Sequence, residues 1–559
     1  MAEPTDNATT RQTADLVVLG GTVLTLDRNS RRASALAARD GRITAIGDDR
    51  AIAGLIGTNT TVVDLDGRAA IPGFVESHNH PTFFGMSLAA PVDAGSPPND
   101  AIGDIVERVR QAVSDFGPGE WIRGFRYDDT LLADNRHPSR GDLDPVSPHN
   151  PVILTHVTGH FCVVNSVALR DIGITAQTPD PPGGAIARDE RGEPSGLLIE
   201  TAAFLANSAM PAQGPDEMAE ALLLADDEYL AHGVTSVHDT GIGLVGGQGE
   251  LDAYRLVNRA GRLRTRIHGY LFHTLLPGLD EGAPELPDPS ASTDTFTMTG
   301  VKIVADGSIQ GRTGCLAEGY ACDPSEHGMM LVEPDDLARR IAALDAAGWQ
   351  VAVHGNGDGA IEAIINGYAK LGAPNGTGRR HRIEHCQTVR EDQLDRMAEH
   401  DILASFFIKH VYYWGDRHRD VFLGPERARR ISPLASARSR GIHFGLHSDT
   451  PVTPVPPLEG IWCAVARRTS GGSVLGAEQA IDVEAALRGY TVDAAYLAGE
   501  EDIKGSLEVG KLADLAVLSE DPTAVDTDRI KSLTVDGTVV GGSLVRQRDA
   551  LTVTTGGAR

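Results

Sequence analysis

At 559 residues the chain exceeds the size at which one hydrophobic core stops growing, so one large domain and at least one smaller one are expected. Its 41% hydrophobic and 23% charged residues exclude a disordered chain. A formal net charge of −27 opposes nucleic-acid binding and favours solubility.

Residues 1–13 read as a disordered tail, polar and acidic, without the apolar segment of a secretory signal. From Ala14 the pattern becomes short strands with glycine turns. Hairpins are expected at Gly20–Gly21, at Asp40–Gly41, a strong turn dipeptide, and at Asp66–Gly67. The far end repeats the style in GSLEVGKLADLAVLSEDP and SLTVDGTVVGG, with a turn at Asp536–Gly537. Segments 14–72 and 500–559 therefore read as one small β domain built from both chain ends.

The middle, 73–499, alternates strand and helix. Its expected strands are Gly73–Ser77, Val234–His238, Arg264–Phe272, Val301–Ala305, Gln350–Val353, His381–Glu384, Ile402–Phe406 and His443–Leu446. Eight such units predict an α/β fold, a (β/α)8 barrel, with a doubly wound sheet as the alternative. About 150 residues separate the first two strands, far more than a helix and two loops need, so 84–224 reads as an inserted subdomain. No apolar run approaches the roughly 20 residues that cross a bilayer. The scattered cysteines Cys162, Cys315, Cys322, Cys386 and Cys463 form no CxxC pair, which argues for reduced thiols and a cytoplasmic protein.

Chemistry gathers where these strands end. IPGFVESHNH carries His78 and His80, VAVHGNGDG carries His354, RRHRIEHCQ carries His385, and GIHFGLHSD ends at Asp449. Barrel enzymes keep their active residues at the carboxyl ends of strands. Residues two apart on a strand point the same way, so His78 and His80 can chelate one ion. Imidazole and carboxylate ligands suit zinc and its first-row neighbours. Lys302, inside the apolar GVKIVADG, is costly to bury charged; snorkelling from an edge strand is the structural alternative. Asp449 serves either as a general base or as a helix cap. Glu384 is expected to orient its neighbours, His238 and Asp239 to support the site from behind, and Cys386 to be an inert core thiol.

The motifs GFVESHNH, GVKIVADGS, VAVHGNGDGA, RIEHCQ, HSDTPVTP and KGSLEVGKLADLAVL resemble those of the amidohydrolase superfamily, in the amidohydrolase-3 branch that includes N-substituted formamide deformylases. The resemblance implies a distorted (β/α)8 barrel with a β-sandwich made from both chain ends. It also implies a divalent metal centre, zinc foremost, of one or two ions. His78 and His80 would hold the more buried ion and His354 and His385 the second. Lys302 would carry a carbamate formed with carbon dioxide that bridges them, and Asp449 would be both a ligand and the proton shuttle. The implied reaction is hydrolysis of a non-peptide carbon–nitrogen bond in a small amide, with hydroxide formed at the metal as the attacking group. Formamides and aryl or alkyl amides are the first candidates, and cyclic amides, ureas and carbamates stay open.

On the substrate side, His160 and Phe83 are expected near the pocket, Arg312 on a loop after Lys302, and His410, Tyr413 and Trp414 in an aromatic loop after the seventh strand. A related deaminase would carry HxxE after the fifth strand, where this chain has His354-Gly355-Asn356-Gly357. A non-catalytic regulatory protein on the same fold is the rival from another class, and a homodimer is left open.

Overall fold

The computed structural model describes residues 12–96, 98–211, 213–286, 292–372 and 378–558. The tail expected at 1–13 lies outside them save for its last two residues.

Eight strands build the centre: β1 (Phe74–Asn79), β2 (Val234–Ile242), β3 (Arg266–Phe272), β4 (Phe296–Val304), β5 (Gln350–Gly355), β6 (Arg382–His385), β7 (Leu403–Phe406) and β8 (Phe444–Leu446). Each runs parallel to the next in chain order. This is the expected barrel, nearly closed. Between its last and first strands the Ser77 hydroxyl donates to the Leu446 carbonyl at 3.0 Å, and the helix Val492–Leu497 packs against both strands. Strand β5 is buried along its whole length, as a parallel strand covered on both faces must be. After it, the helix Asp358–Ala369 buries Ile361, Ile364, Ile365 and Tyr368, the spacing of one helical face turned to the barrel.

Both chain ends contribute to two further sheets. One orders Thr552–Thr555, Thr61–Asp64, Leu16–Leu19, Ala35–Arg39 and Arg42–Gly47; the other orders Ser543–Gln547, Val535–Val540, Leu515–Leu518, Ala69–Pro72, Thr22–Leu24 and Arg32–Ala33. Leu16, Val18, Leu36, Val63, Ala70, Leu515, Val517 and Val539 meet in a shared core between them. The alternate residues Val17, Ala35 and Ala37 pack on the other face, around Ile52 of the helix Asp49–Ala53, as a two-residue side-chain period requires.

Only one of the hairpins expected near the start is a hairpin. Asp40–Gly41 joins two antiparallel strands. Gly20–Gly21 and Asp66–Gly67 instead carry the chain from one sheet to the other. The crossing is so close that a Cβ on Gly21 would lie 2.3 Å from the Arg68 carbonyl oxygen. Asp536–Gly537 lies inside the strand Val535–Val540, and the turn falls at Gly541–Gly542.

Within 84–224 lies a six-stranded sheet ordered Gly184–Arg188, Pro194–Glu200, Phe161–Val164, Val152–His156, Ile122–Tyr127 and Val92–Asp93. It has a core on each face: Val152, Leu154 and Val163 pack under the helix Ile102–Val113, while Ile153, Cys162 and Val164 face Ala168 and Ala203 of two other helices. The helix Pro215–Ala231 straddles the downstream limit of this segment and packs on the helix Pro81–Leu88 beside the barrel.

Candidate metal centre

Strand ends bring the expected ligands to one mouth. His78 lies in β1 and His80 just beyond it. The Nε2 atoms of both are 3.4 Å from Asp449 Oδ1, and His385 Nδ1 is 3.9 Å from Asp449 Oδ2. The ring of His385 lies 4.6 Å, centre to centre, from those of His78 and His354. Lys302, from β4, is 2% exposed and faces the same cavity. His385 and Asp449 hold φ values of 68° and 53°, a left-handed backbone that costs energy in any residue but glycine and turns these side chains at the strand ends.

Burial dominates the electrostatics. It drives the pKa of His78 and His385 well below the imidazole range, with Lys302 and neighbouring histidines adding to the effect. Burial also lowers His354, although Asp306 opposes it. Neutral imidazoles are the form that binds a metal. Burial alone would raise Asp449, but His80, His447 and Lys302 outweigh it and hold the carboxyl below its usual range. Lys302 is pushed down to about 8 by burial, against the pull of Glu384 and Asp449.

Three of these histidines, His78, His354 and His385, are braced from behind. Glu384 Oε2 lies 2.5 Å from His78 Nδ1, and its Oε1 is paired with the fully buried Arg382 at 2.7 Å. Arg382 also reaches His238 Nδ1 at 2.9 Å and donates to the Ser77 carbonyl at 2.9 Å. Asp239 accepts from the Tyr254 hydroxyl at 2.5 Å. Asp306 Oδ1 lies 2.9 Å from His354 Nδ1, while its Oδ2 accepts from the amides of Cys315 and Gly357. Cys386 is buried, its thiol held well above the usual range by burial and then by Glu384. The sequence reading missed His447, which sits 3.3 Å from His385 Nδ1 through Nε2 and 3.0 Å from Ser405 through Nδ1. Its place two residues before Asp449 is the signal that was there to find.

The mouth opens into a cavity of about 340 Å³ lined by His78, His80, Lys302, His354, His385 and Asp449 at its base. Phe83, Met86, Phe125, Phe204, Met210 and Val452 make an apolar wall, and His160 reaches in from the insert. Burial disfavours a charge on His160, but Glu200, then Asp306 and Asp449, overcome it and raise its pKa. Four expected substrate contacts lie elsewhere. Arg312 is in a turn outside the cavity lining. His410 is buried with its ring 4.1 Å from that of Phe407, Tyr413 donates to Glu459 at 3.2 Å, and Trp414 Nε1 donates to Asp128 at 3.3 Å. His410 packs on Phe407, while Tyr413 and Trp414 find acids for their polar tips, which holds the helix His410–Arg417 against the insert and the neighbouring helix.

A parallel barrel with histidines, a buried lysine and an aspartate at the carboxyl ends of its strands is the frame of a metal-dependent hydrolase. The chain belongs to the amidohydrolase family, whose sequence pattern matches residues 61–546. It is 31% identical to N-substituted formamide deformylase of Arthrobacter pascens, over 96% of this chain and 99% of that one. It is 32% identical to Protein LONG AFTER FAR-RED 3 of Arabidopsis thaliana, over 95% of this chain and 91% of that one. Among solved structures, an uncharacterized metal-dependent hydrolase from Pyrococcus horikoshii OT3 superposes with a TM-score of 0.74 at 25% identity, covering 92% of this chain and 99% of that one. The chain is accordingly a metal-dependent hydrolase acting on carbon–nitrogen bonds.

Proposed function

We propose that the chain hydrolyses small N-substituted formamides or related aryl and alkyl amides. The centre consists of one or two zinc ions held by His78, His80, His354, His385, Asp449 and a carbamate on Lys302. One observation carries the reading. Among the described residues, His78 Nε2 and Asp449 Oδ1 are both buried, lie 3.4 Å apart and make no hydrogen bond in good geometry. Two facing lone pairs without a donor are costly unless a cation satisfies both. The neutral imidazoles around them suit the same occupant.

When bound, a divalent ion acidifies a water molecule and polarises the substrate carbonyl. Asp449, kept ionised by His80, takes the proton of the attacking water on its carboxylate and passes it to the departing nitrogen. Lys302, with a pKa of about 8, is neutral in roughly a tenth of molecules at pH 7, and the neutral amine is the form that takes up carbon dioxide. Glu384 and Asp306 keep His78 and His354 facing the mouth. The wall of Phe83, Phe125, Phe204 and Met210 suits a hydrocarbon substituent on nitrogen.

In this reading 73–499 carries the chemistry, 14–72 and 500–559 form a supporting β-sandwich, and the insert 84–224 roofs the mouth. Its free thiols support work in the cytoplasm. No helix among the described residues is long and apolar enough to cross a membrane. The test is a panel of N-alkyl and N-aryl formamides, acetanilides, cyclic imides, ureas and carbamates, assayed beside metal analysis. Formamides or anilides should be turned over fastest. Faster turnover of the cyclic imides or ureas, or no turnover by protein with its metal sites filled, would contradict the proposal.

A further inference from the structure

Glu200 has no part in the ligand set, yet the insert is built around it. It is wholly buried at the end of the strand Pro194–Glu200, just before the helix Thr201–Ala209. Its backbone, at φ 49° and ψ −120°, is strained for any residue but glycine. Two bonds tie it to His160: its amide donates to the His160 carbonyl at 2.7 Å, and its Oε2 lies 2.8 Å from His160 Nδ1. Its Oε1 has no hydrogen-bond partner among the described residues. The barrel makes room for it, since a Cβ on Gly307 would stand 2.3 Å from that oxygen. Gly307 follows Asp306, the brace of His354, and the rings of His354 and His160 are 5.8 Å apart.

A buried carboxylate in a strained turn, with a glycine clearing its path, converges on a single imidazole. Because a carboxylate only accepts, Nδ1–H is the donor of this bond, and pairing with the buried Glu200 carboxylate favours the imidazolium, which carries a proton on each nitrogen. That fixes the ring plane and leaves Nε2 as the nitrogen turned to the cavity His160 lines. A carboxylate behind an imidazole supports the ring as it donates from its far side. We infer that Glu200 is a positioning residue that aims His160 Nε2–H, from the insert, at the substrate carbonyl oxygen across the cavity from the strand-end ligands. The inference rests on the hydrolase reading above. It adds that the insert completes the site, and it assigns the recognised group as a carbonyl oxygen that gains negative charge.

The test uses the full-length, metal-loaded protein and the variants Glu200→Gln, Glu200→Asp and His160→Gln. Methylphosphonate, whose anionic tetrahedral oxygens resemble the charge the carbonyl oxygen acquires, is titrated by calorimetry. His160→Gln and Glu200→Gln should each bind it roughly 10–100-fold more weakly, with metal content unchanged, and Glu200→Asp should fall in between. With the best amide of the panel, both glutamine variants should lose kcat while KM changes little. Wild-type affinity in His160→Gln, Glu200→Gln or Glu200→Asp, or no binding by the wild type, overturns the inference. If no amide is turned over, the hydrolase reading fails while the phosphonate titration still decides the role of Glu200.

Discussion

Two regions of the molecule gather the residue types that bind metals, and their hydrogen bonds separate them. At the barrel mouth stand His78, His385 and Asp449; in the insert stand Asp128, Asp129 and His156. In the insert the atoms are already engaged. The Thr158 amide donates to His156 Nδ1 at 3.2 Å, which puts the ring proton on Nε2, facing Asp129 Oδ1 at 3.1 Å. Asp128 accepts from the Thr130 amide at 2.9 Å and from Trp414 at 3.3 Å. At the mouth, His78 Nε2 and Asp449 Oδ1 are buried without such partners. Composition alone does not make a metal site; unmatched lone pairs that face each other do. The insert cluster reads as a strut that fastens the insert to the barrel helix His410–Arg417.

The contrast can be broken most severely by removing metal. A strong chelator should reduce turnover to background and added zinc should restore it; full activity in metal-free protein would erase the distinction. Lys302→Ala should also be inactive, with short carboxylic acids restoring part of the rate, as assayed with and without propionate. Asp449→Asn should lower kcat by about 10²–10⁴-fold with the fold intact, provided metal content is measured alongside. If it kept its metal and its rate, the proton shuttle would lie elsewhere.

Changes in the insert should be far milder. His156→Leu strands Asp129 and should cost about 1–3 kcal/mol in denaturant unfolding, with metal content unchanged. A loss of bound metal in that variant would reverse the comparison. An effect of similar size concerns pH. Burial pushes His137 from 6.5 down to about 4. Below pH 6.5 the unfolded chain takes up this proton while the folded chain does not, so the stability present above 6.5 is lost as pH falls towards about 4. The loss is about 1.4 kcal/mol per pH unit, and His137→Phe should remove it. Equal slopes for the two proteins between pH 6.5 and 4.5 would refute that assignment.

Much of the barrel was legible because its strands are short, largely buried runs separated by helices, a pattern that survives in one dimension. The turns were less so. An Asp–Gly pair joins a hairpin at Asp40, crosses between sheets at Asp66 and sits inside a strand at Asp536, and only the partner strand, distant in sequence, decides which. The site divides the same way. Histidines at strand ends stand out locally, and the structure gathers them at one cavity. Glu200 gives no local signal, because its partner His160 lies forty residues upstream across the insert sheet. The loop holding His410, Tyr413 and Trp414 misled for a physical reason: aromatic rings with polar tips suit a buried packing layer as well as a pocket wall.

Anomalous X-ray diffraction at the zinc edge, on crystals of the zinc-loaded, active protein, tests the central claim most directly. The account predicts a peak between His78 Nε2 and Asp449 Oδ1 and none among Asp128, Asp129 and His156. A peak in the insert cluster, or none at the barrel mouth of an active crystal, would contradict it.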